Sequence, residues 1–162
     1  MATHYVHPNY QFILGDSVTV GKNWTDEIGG VFIDTLHIKE QVLCELYYWY
    51  KFVEKGGFII FHDTNWPLGK NDIYDGVVWD RVEYAIQDFF NIKNLNYEDE
   101  FIKVDNYPES WGMTIVEKKQ NKNFIENISN WSQIFNSRNR LINFFWGKNT
   151  NEQLNIEFNI NV

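Results

Sequence analysis

Three short apolar runs, each followed at once by polar residues, constrain the fold of this chain more than any other feature of the sequence. The runs are residues 12–14, 31–33 and 58–61. Apolar runs of this length without alternation are typical of strands that are buried on both faces of a parallel sheet. The sequence therefore predicts an α/β fold built around such strands.

Residues 40–55, between the second and third runs, have the spacing of an amphipathic helix. The apolar positions of this helix are Val42, Leu43, Leu46, Tyr47, Tyr50 and Val53. Gly56-Gly57 supplies a stop for the helix. Because a strand–helix–strand unit almost always connects parallel strands by a right-handed crossover, we expect the second and third runs to pair in parallel. Gly29-Gly30 is expected to form a turn before the second run.

The middle of the chain predicts one more helix and a hairpin. The helix is expected over residues 74–90, where apolar residues recur on one side. Two strands are expected at residues 101–104 and 112–117, separated by the turn-prone segment 106–108. Their closeness in sequence favours an antiparallel hairpin that closes one edge of the sheet.

The last part of the chain is rich in asparagine but keeps its apolar pattern. A helical spacing begins at Phe124, with an expected break near Ser137, and residues 154–162 alternate strictly between apolar and polar side chains. Such alternation is typical of a half-buried strand. We therefore expect a partial α/β domain at residues 1–119 and a helix-and-strand appendage at residues 120–162.

Composition and charge exclude several classes of protein. The chain has 162 residues with 14 basic and 22 acidic side chains, so its net charge of −8 disfavours a nucleic-acid partner. No apolar run is long enough for a membrane span, and the first ten residues contain no apolar signal core. A single cysteine, Cys44, excludes an internal disulfide and a multi-cysteine zinc site. We expect a cytoplasmic domain without a membrane span.

Polar residues that follow the three runs are expected to meet at one edge of the sheet, because ligands of such sheets collect at the carboxyl ends of the strands. They are Asp16 and Ser17, then Asp34 and His37, then His62, Asp63, Thr64 and Asn65. Carboxylates can hold a hard cation, and a histidine can take a proton from a hydroxyl group. We favour His37 over His62 as the base. Asp34 could instead cap the following helix, and this alternative stays open.

Two of these segments carry a family resemblance. Residues 31–37 read VFIDTLH, and residues 55–64, after the helix, read KGGFIIFHDT. Together they resemble the class I S-adenosylmethionine-dependent methyltransferases, and among these the small-molecule and sugar O-methyltransferases with an IDGDH…KPGGxIxxHDT signature. Residues 12–17 resemble the preceding FIxGDS strand of that family. The resemblance covers residues 10–117 and only the C-terminal part of the family's domain.

The resemblance implies a Rossmann-like sheet, mainly parallel with an antiparallel edge. It also implies methyl transfer from S-adenosylmethionine to a hydroxyl group of a sugar or another small molecule. In the family, the position of Asp16 contacts the adenine of the cofactor and Ser17 lies beside it. Asp34 matches an acid beside the methyl-transfer site and cofactor, and His37 matches a position where related enzymes place a general base.

A metal site is implied by the catechol-type relatives. These enzymes hold Mg²⁺ with two acids, which match Asp34 and Asp63, and with a following Asn. Here Thr64 follows Asp63, so Asn65 is the candidate third ligand. In the family, Gly-Asp or Ala-Asp usually follows the acid that matches Asp34, whereas here Thr35-Leu36 follows it. This departure bears on how the methyl acceptor is held.

The first 11 residues contain no glycine, so the glycine-rich cofactor loop of the family is not matched in this chain. Three functions therefore stay open. One is O-methyl transfer by a truncated domain that does not act on its own. The others are a non-catalytic methyltransferase-like interaction module and metal-assisted chemistry at the same sheet edge. A homo-oligomer and a complementing subunit are the two protein partners considered.

Overall fold

The computed structural model describes residues 11–65, 72–74, 77–79, 81–96, 102–109 and 111–146. The helices are α1 (Ser17–Asn23), α2 (Lys39–Trp49), α3 (Val82–Phe90) and α4 (Trp131–Trp146). The strands are β1 (Ile28–Ile33), β2 (Val53–His62), β3 (Asp72–Tyr74), β4 (Val77–Trp79), β5 (Ile102–Tyr107) and β6 (Met113–Lys118). Single 3₁₀ turns lie at Tyr50–Phe52 and Ile125–Asn127.

Four of the strands form one mixed sheet in the order β1-β2-β6-β5. β1 and β2 pair in parallel, with Ile33 opposite Phe61, and α2 connects them. The β2–β6 and β5–β6 pairs are antiparallel. The predicted α/β class, the parallel pair and the antiparallel hairpin at the sheet edge are confirmed. Because β1 and β2 run in the same direction, their carboxyl ends lie side by side, and this edge carries the candidate site.

The core lies between one face of this sheet and the helices α2 and α3. Ile59 and Phe61 of β2 are buried there with Leu46 of α2 and Phe89 of α3. Each of these side chains contributes about 1.5–3 kcal/mol through its removal from water. Phe32, which alternates with the buried Ile33 on β1, is exposed on the opposite face. The burial of one sheet face against these helices thus fixes the positions of the carboxyl ends of β1 and β2.

The helix expected over residues 40–55 is shorter than predicted. α2 ends at Trp49, and the chain already enters β2 at Val53. Gly56 and Gly57 therefore lie inside the strand, where Gly56 has a φ of +83° at an irregularity of the β1–β2 register. A Cβ on Gly57 would lie 2.7 Å from the carbonyl oxygen of Gly29. The two glycine pairs allow a close approach of the strands, so the predicted turn at Gly29-Gly30 is wrong.

The second predicted helix is also shortened. Of the described residues in that range, only Val82–Phe90 are helical. β4 lies inside the range and pairs with β3, which ends at the first residue of the range, in a small antiparallel hairpin. The reason is local: the β-branched residues Ile73, Val77 and Val78 favour extended backbone. The interval Asp75-Gly76 has the composition of a hairpin connection, a signal that the helical spacing concealed.

Two further expectations differ from the structure. Residues 11–14 form no strand, and Phe12 is 72% exposed, because no described strand lies beside them to pair with their backbone. α4 continues through Ser137 without a break. The strand expected at residues 154–162 lies outside the described residues. Within the described part of the chain, no helix is both long and apolar enough to cross a membrane.

Candidate functional site

The ends of β1 and β2 bring four side chains together at the sheet edge. Asp34 follows the last residue of β1, His62 is the last residue of β2, and Asp63 follows it. His37 lies in the short segment between β1 and α2, so it folds back over the same edge. We call these four residues the rim cluster. Their ligand atoms all lie within 4.8 Å of one another.

His37 lies between the two acids of the rim cluster. Its Nε2 is 3.1 Å from Asp34 Oδ1 and 3.1 Å from Asp63 Oδ2. His62 lies on the other side of the same acids, with its Nδ1 2.9 Å from Asp63 Oδ1 and 3.6 Å from Asp34 Oδ1. Two carboxylates therefore face two imidazole rings, an arrangement that can accept a proton or hold a divalent cation.

Asp63 is the buried member of the rim cluster. Its side chain is 4% exposed and its φ is +55°, a backbone conformation that Asp and Asn tolerate better than most residues. The next residue fixes this geometry, since the Thr64 amide donates to the Gly112 carbonyl at 3.4 Å and its hydroxyl accepts from Thr114 at 3.0 Å. Strained backbone of this kind is concentrated at functional sites.

Two buried atoms of the rim cluster have no hydrogen-bond partner within the described residues. They are Asp63 Oδ1 and His62 Nδ1, which lie close to each other but without hydrogen-bond geometry. Buried polar atoms are nearly always satisfied by protein, water or a bound ion. The described residues therefore leave two polar atoms of the rim cluster without a hydrogen-bond partner.

Asn65, the expected third metal ligand, is directed elsewhere. Its side chain is exposed, and its Nδ2 donates to the Pro108 carbonyl at 3.3 Å. The donors that the structure places beside Asp34 and Asp63 are the two histidines. The sequence signal for His62 was its position at the end of a buried strand.

Asp16 and Ser17 lie at the start of α1 and form a second polar group. Asp16 caps this helix: its Oδ2 accepts hydrogen bonds from the Thr19 amide at 3.0 Å and from the Thr19 hydroxyl at 2.8 Å. Its Oδ1 forms an ion pair with Arg138 of α4. The Ser17 hydroxyl donates to Glu45 of α2. These two of the three predicted cofactor residues are thus engaged with other parts of the chain, whereas Asp34 belongs to the rim cluster.

Glu45 is the buried centre of this second group. Its carboxylate accepts from Gln41 Nε2 at 2.9 Å and from the Thr35 hydroxyl at 3.0 Å, in addition to Ser17. Burial raises the pKa of Glu45 above its usual range, although these hydrogen bonds oppose the shift. Thr35, which departs from the family signature, therefore supports α2 from the end of β1. Sequence reasoning missed Glu45, whose only signal was an acid on the apolar side of α2.

Comparison with known proteins supports the resemblance seen in the sequence. Residues 1–64 match the family model described as a methyltransferase domain. This segment includes β1, α2 and β2 and ends just after Asp63. The resemblance to methyltransferases noted in the sequence is thus supported over these residues.

One solved structure, a protein from Corynebacterium glutamicum, is similar to this chain with 19% sequence identity and a TM-score of 0.49. The match covers 72% of this chain and 50% of that one, so the chain spans about half the length of that protein. No curated protein matches the chain.

Proposed function

We propose that the rim cluster serves methyl transfer from S-adenosylmethionine to a hydroxyl group of a sugar or another small molecule, with His37 as the general base. The observation that carries this proposal is the position of His37 Nε2, 3.1 Å from a carboxylate oxygen of both Asp34 and Asp63. A histidine held by an acid at a sheet edge is a recurrent arrangement for taking a proton from a hydroxyl group.

The reaction needs one proton acceptor and one methyl acceptor. S-adenosylmethionine supplies an electrophilic methyl group on a sulfonium centre. The acceptor oxygen forms the new C–O bond while the S–C bond breaks and its electron pair stays on sulfur. Because His37 Nε2 faces the two carboxylates and donates to them, the hydroxyl proton moves to Nδ1 of the same ring, and the resulting imidazolium is stabilised by Asp34 and Asp63. Catalysis then depends mostly on how the two reactants are positioned.

The exposure of the three side chains separates their roles. The side chains of Asp34 and His37 are 46% and 31% exposed, so a small molecule can reach them. Asp63 is buried behind His37 and acts on the ring, which makes it a positioning residue. Asp34 is the acid that can also accept a hydrogen bond from the acceptor.

The residues proposed to bind the adenine of S-adenosylmethionine fit this role less completely than the rim cluster fits the transfer step. Asp16 and Ser17 remain the proposed contacts for the adenine, but both carboxylate oxygens of Asp16 are already engaged and the Ser17 hydroxyl is donated to Glu45. Binding of the donor at this end therefore requires that at least one of these contacts is exchanged.

Calorimetry with S-adenosylhomocysteine tests the proposal. We expect saturable binding that is weakened at least tenfold in Asp16→Asn, a change that keeps a good helix cap but removes the charge. Asp26→Asn, at an exposed position after the C-terminal end of α1, is the matched control. If millimolar ligand gives no saturable binding, with Asp16 either paired to Arg138 or released from it by Arg138→Met, the proposal fails. The non-catalytic interaction module is then favoured.

The rim cluster also supports a second candidate, metal-assisted chemistry on a hydroxyl group. Tetrahedral coordination at about 2.0–2.2 Å places neighbouring ligand atoms roughly 3.3 Å apart. The histidine nitrogens lie 2.9, 3.1, 3.1 and 3.6 Å from acid oxygens, although the two Asp63 distances are to different oxygens. One ligand atom from each of the four residues can be chosen so that all four lie within 4.8 Å of one another, so a bound ion would require the side chains to close in slightly. Two nitrogen donors fit Zn²⁺ or a similar transition metal better than Mg²⁺, which prefers oxygen ligands. The donor set therefore disfavours the expected Mg²⁺ site.

His62 separates the two candidates, since it contributes a metal donor but takes no part in the proposed proton transfer. Titration with ZnCl₂ and with MgCl₂, followed by calorimetry, is the measurement. The metal candidate predicts that Zn²⁺ binds more tightly than Mg²⁺ and that His62→Ala weakens Zn²⁺ binding at least tenfold. Equal, weak binding of both ions by wild type and His62→Ala eliminates the metal candidate and leaves the base role of His37 intact.

A further inference from the structure

We infer that Arg138 of α4 competes with the methyl donor for Asp16, so that the affinity of the chain for S-adenosylmethionine is set by this intramolecular ion pair. The inference rests on the proposed function, in which Asp16 contacts the adenine end of the donor. It concerns a residue far along the chain from every segment that resembles the family.

The geometry leaves Asp16 little free acceptor capacity. Oδ2 holds the amide and hydroxyl of Thr19, and Oδ1 holds the guanidinium of Arg138. The Asp16 side chain is only 16% exposed in this state. A ligand that takes Oδ1 of Asp16 as its acceptor must therefore displace the guanidinium of Arg138.

Arg138 is held in place although it is charged and almost fully buried. Its side chain is 6% exposed, and its Nε donates to Gln41 Oε1 at 2.7 Å while its Nη2 pairs with Asp16. Removal of a guanidinium from water costs several kcal/mol unless a carboxylate compensates it. The buried guanidinium therefore favours the state in which Arg138 remains paired with Asp16.

Contacts away from Arg138 attach α4 to α2. Trp131 and Phe135 pack edge-on against Tyr47, with ring centroids 4.8 and 5.2 Å apart. Release of the guanidinium from Asp16 thus leaves the first half of α4 anchored. The exchange requires a rearrangement around one side chain and not the loss of the helix.

The adenine amino group and the ribose hydroxyl groups are neutral donors, whereas Arg138 carries a full positive charge and forms an ion pair with the Asp16 carboxylate. The apparent dissociation constant of the donor is therefore the intrinsic constant divided by the fraction of molecules with Asp16 released. Loss of the guanidinium should raise the affinity for any adenosyl ligand that contacts Asp16.

The test is calorimetry of S-adenosylhomocysteine binding to the full chain with Arg138→Met, which keeps the length of the side chain but removes the charge. We expect binding at least tenfold tighter than wild type. Arg140→Met, an exposed arginine two residues further along α4, is the matched control and should bind like wild type. Addition of Asp16→Asn to Arg138→Met should abolish the gain.

The outcomes are distinguishable. If Arg138→Met binds no tighter than wild type, the inference is wrong while the proposed function stands. If neither protein binds at millimolar ligand, the proposed function fails and the inference fails with it. Circular dichroism establishes that the variant is folded. If Arg138→Met does not fold, Arg138→Lys is the replacement variant, because it keeps a positive charge but loses the planar guanidinium. The affinity of Arg138→Lys for S-adenosylhomocysteine must then exceed that of wild type at least threefold.

Discussion

His37 Nε2 lies 3.1 Å from Asp63 Oδ2, and the two side chains differ sharply in exposure, at 31% and 4%. An accessible imidazole thus rests on a buried carboxylate whose backbone is fixed in the left-handed region. Acids in this position orient a catalytic histidine and stabilise its protonated form. The relationship makes Asp63 the residue whose charge is most closely tied to the function of His37.

Replacement of Asp63 by Asn should lower kcat about 100-fold or more with little change in KM, because the acid acts on His37 and not on the acceptor. Asn tolerates the positive φ of this position, so the variant removes the charge without new backbone strain. Steady-state kinetics with labelled S-adenosylmethionine measure the split. Asp105→Asn, at a half-exposed site on β5, is the control; a rise in KM at unchanged kcat in Asp63→Asn contradicts the positioning role.

The stability of the fold should depend on the ionisation of Glu45. Burial raises its pKa, so the folded state favours the neutral carboxyl group. The stabilisation is present below the pKa of Glu in the unfolded chain and is lost as the pH rises through the higher folded value. Glu45→Gln removes this dependence, because its Oε1 can still accept and its Nε2 can donate to the Thr35 hydroxyl.

Urea unfolding at pH 4 and pH 8 measures the effect. The free energy of unfolding of Glu45→Gln relative to wild type should increase from the lower to the higher pH. Glu54→Gln, at an exposed position of β2, should show no such change. A difference between Glu45→Gln and wild type that is independent of pH would show that Glu45 is not neutral in the folded state.

Cys44 should be inert in the folded protein. It is fully buried in α2, and burial raises the pKa of its thiol to about 12. The thiolate is the reactive form, so a disulfide reagent at pH 8 should react only after the chain is unfolded in urea. Rapid stoichiometric labelling of the native chain contradicts the burial of this part of α2.

Gly112 should be far less tolerant of alanine than Gly56, although both have a positive φ. A Cβ at Gly112 would lie 2.5 Å from the Asn65 amide nitrogen, whereas a Cβ at Gly56 meets nothing within 4 Å. Backbone strain alone costs about 1–2 kcal/mol, so Gly56→Ala should lose about that much. Gly112→Ala should lose clearly more and should also disturb Asp63. Equal losses in thermal unfolding would remove the argument that this contact fixes the rim cluster.

The parts that the sequence predicted are those determined by local periodicity. The parallel pair, the hairpin of β5 and β6 and the convergence of Asp34, His37 and Asp63 all follow from apolar runs and from what ends them. The strand predicted from the first apolar run is not formed, because a strand at residues 11–14 needs a neighbouring strand to pair with, and a local sequence pattern cannot indicate such a neighbour. The pairing of Arg138 with Asp16 spans 122 positions and depends on how α4 packs on α2, so no spacing could indicate it.

Methyl-labelled S-adenosylmethionine and a panel of monosaccharides and catechols test whether His37 takes the proton of a hydroxyl group during methyl transfer. We expect wild type to label at least one acceptor. His37→Asn should transfer label about 100-fold more slowly or worse, since general bases contribute about that much, while it binds S-adenosylhomocysteine as wild type does. Undiminished transfer by His37→Asn, or no labelled acceptor from a chain that binds S-adenosylhomocysteine, contradicts the role of His37 as the base.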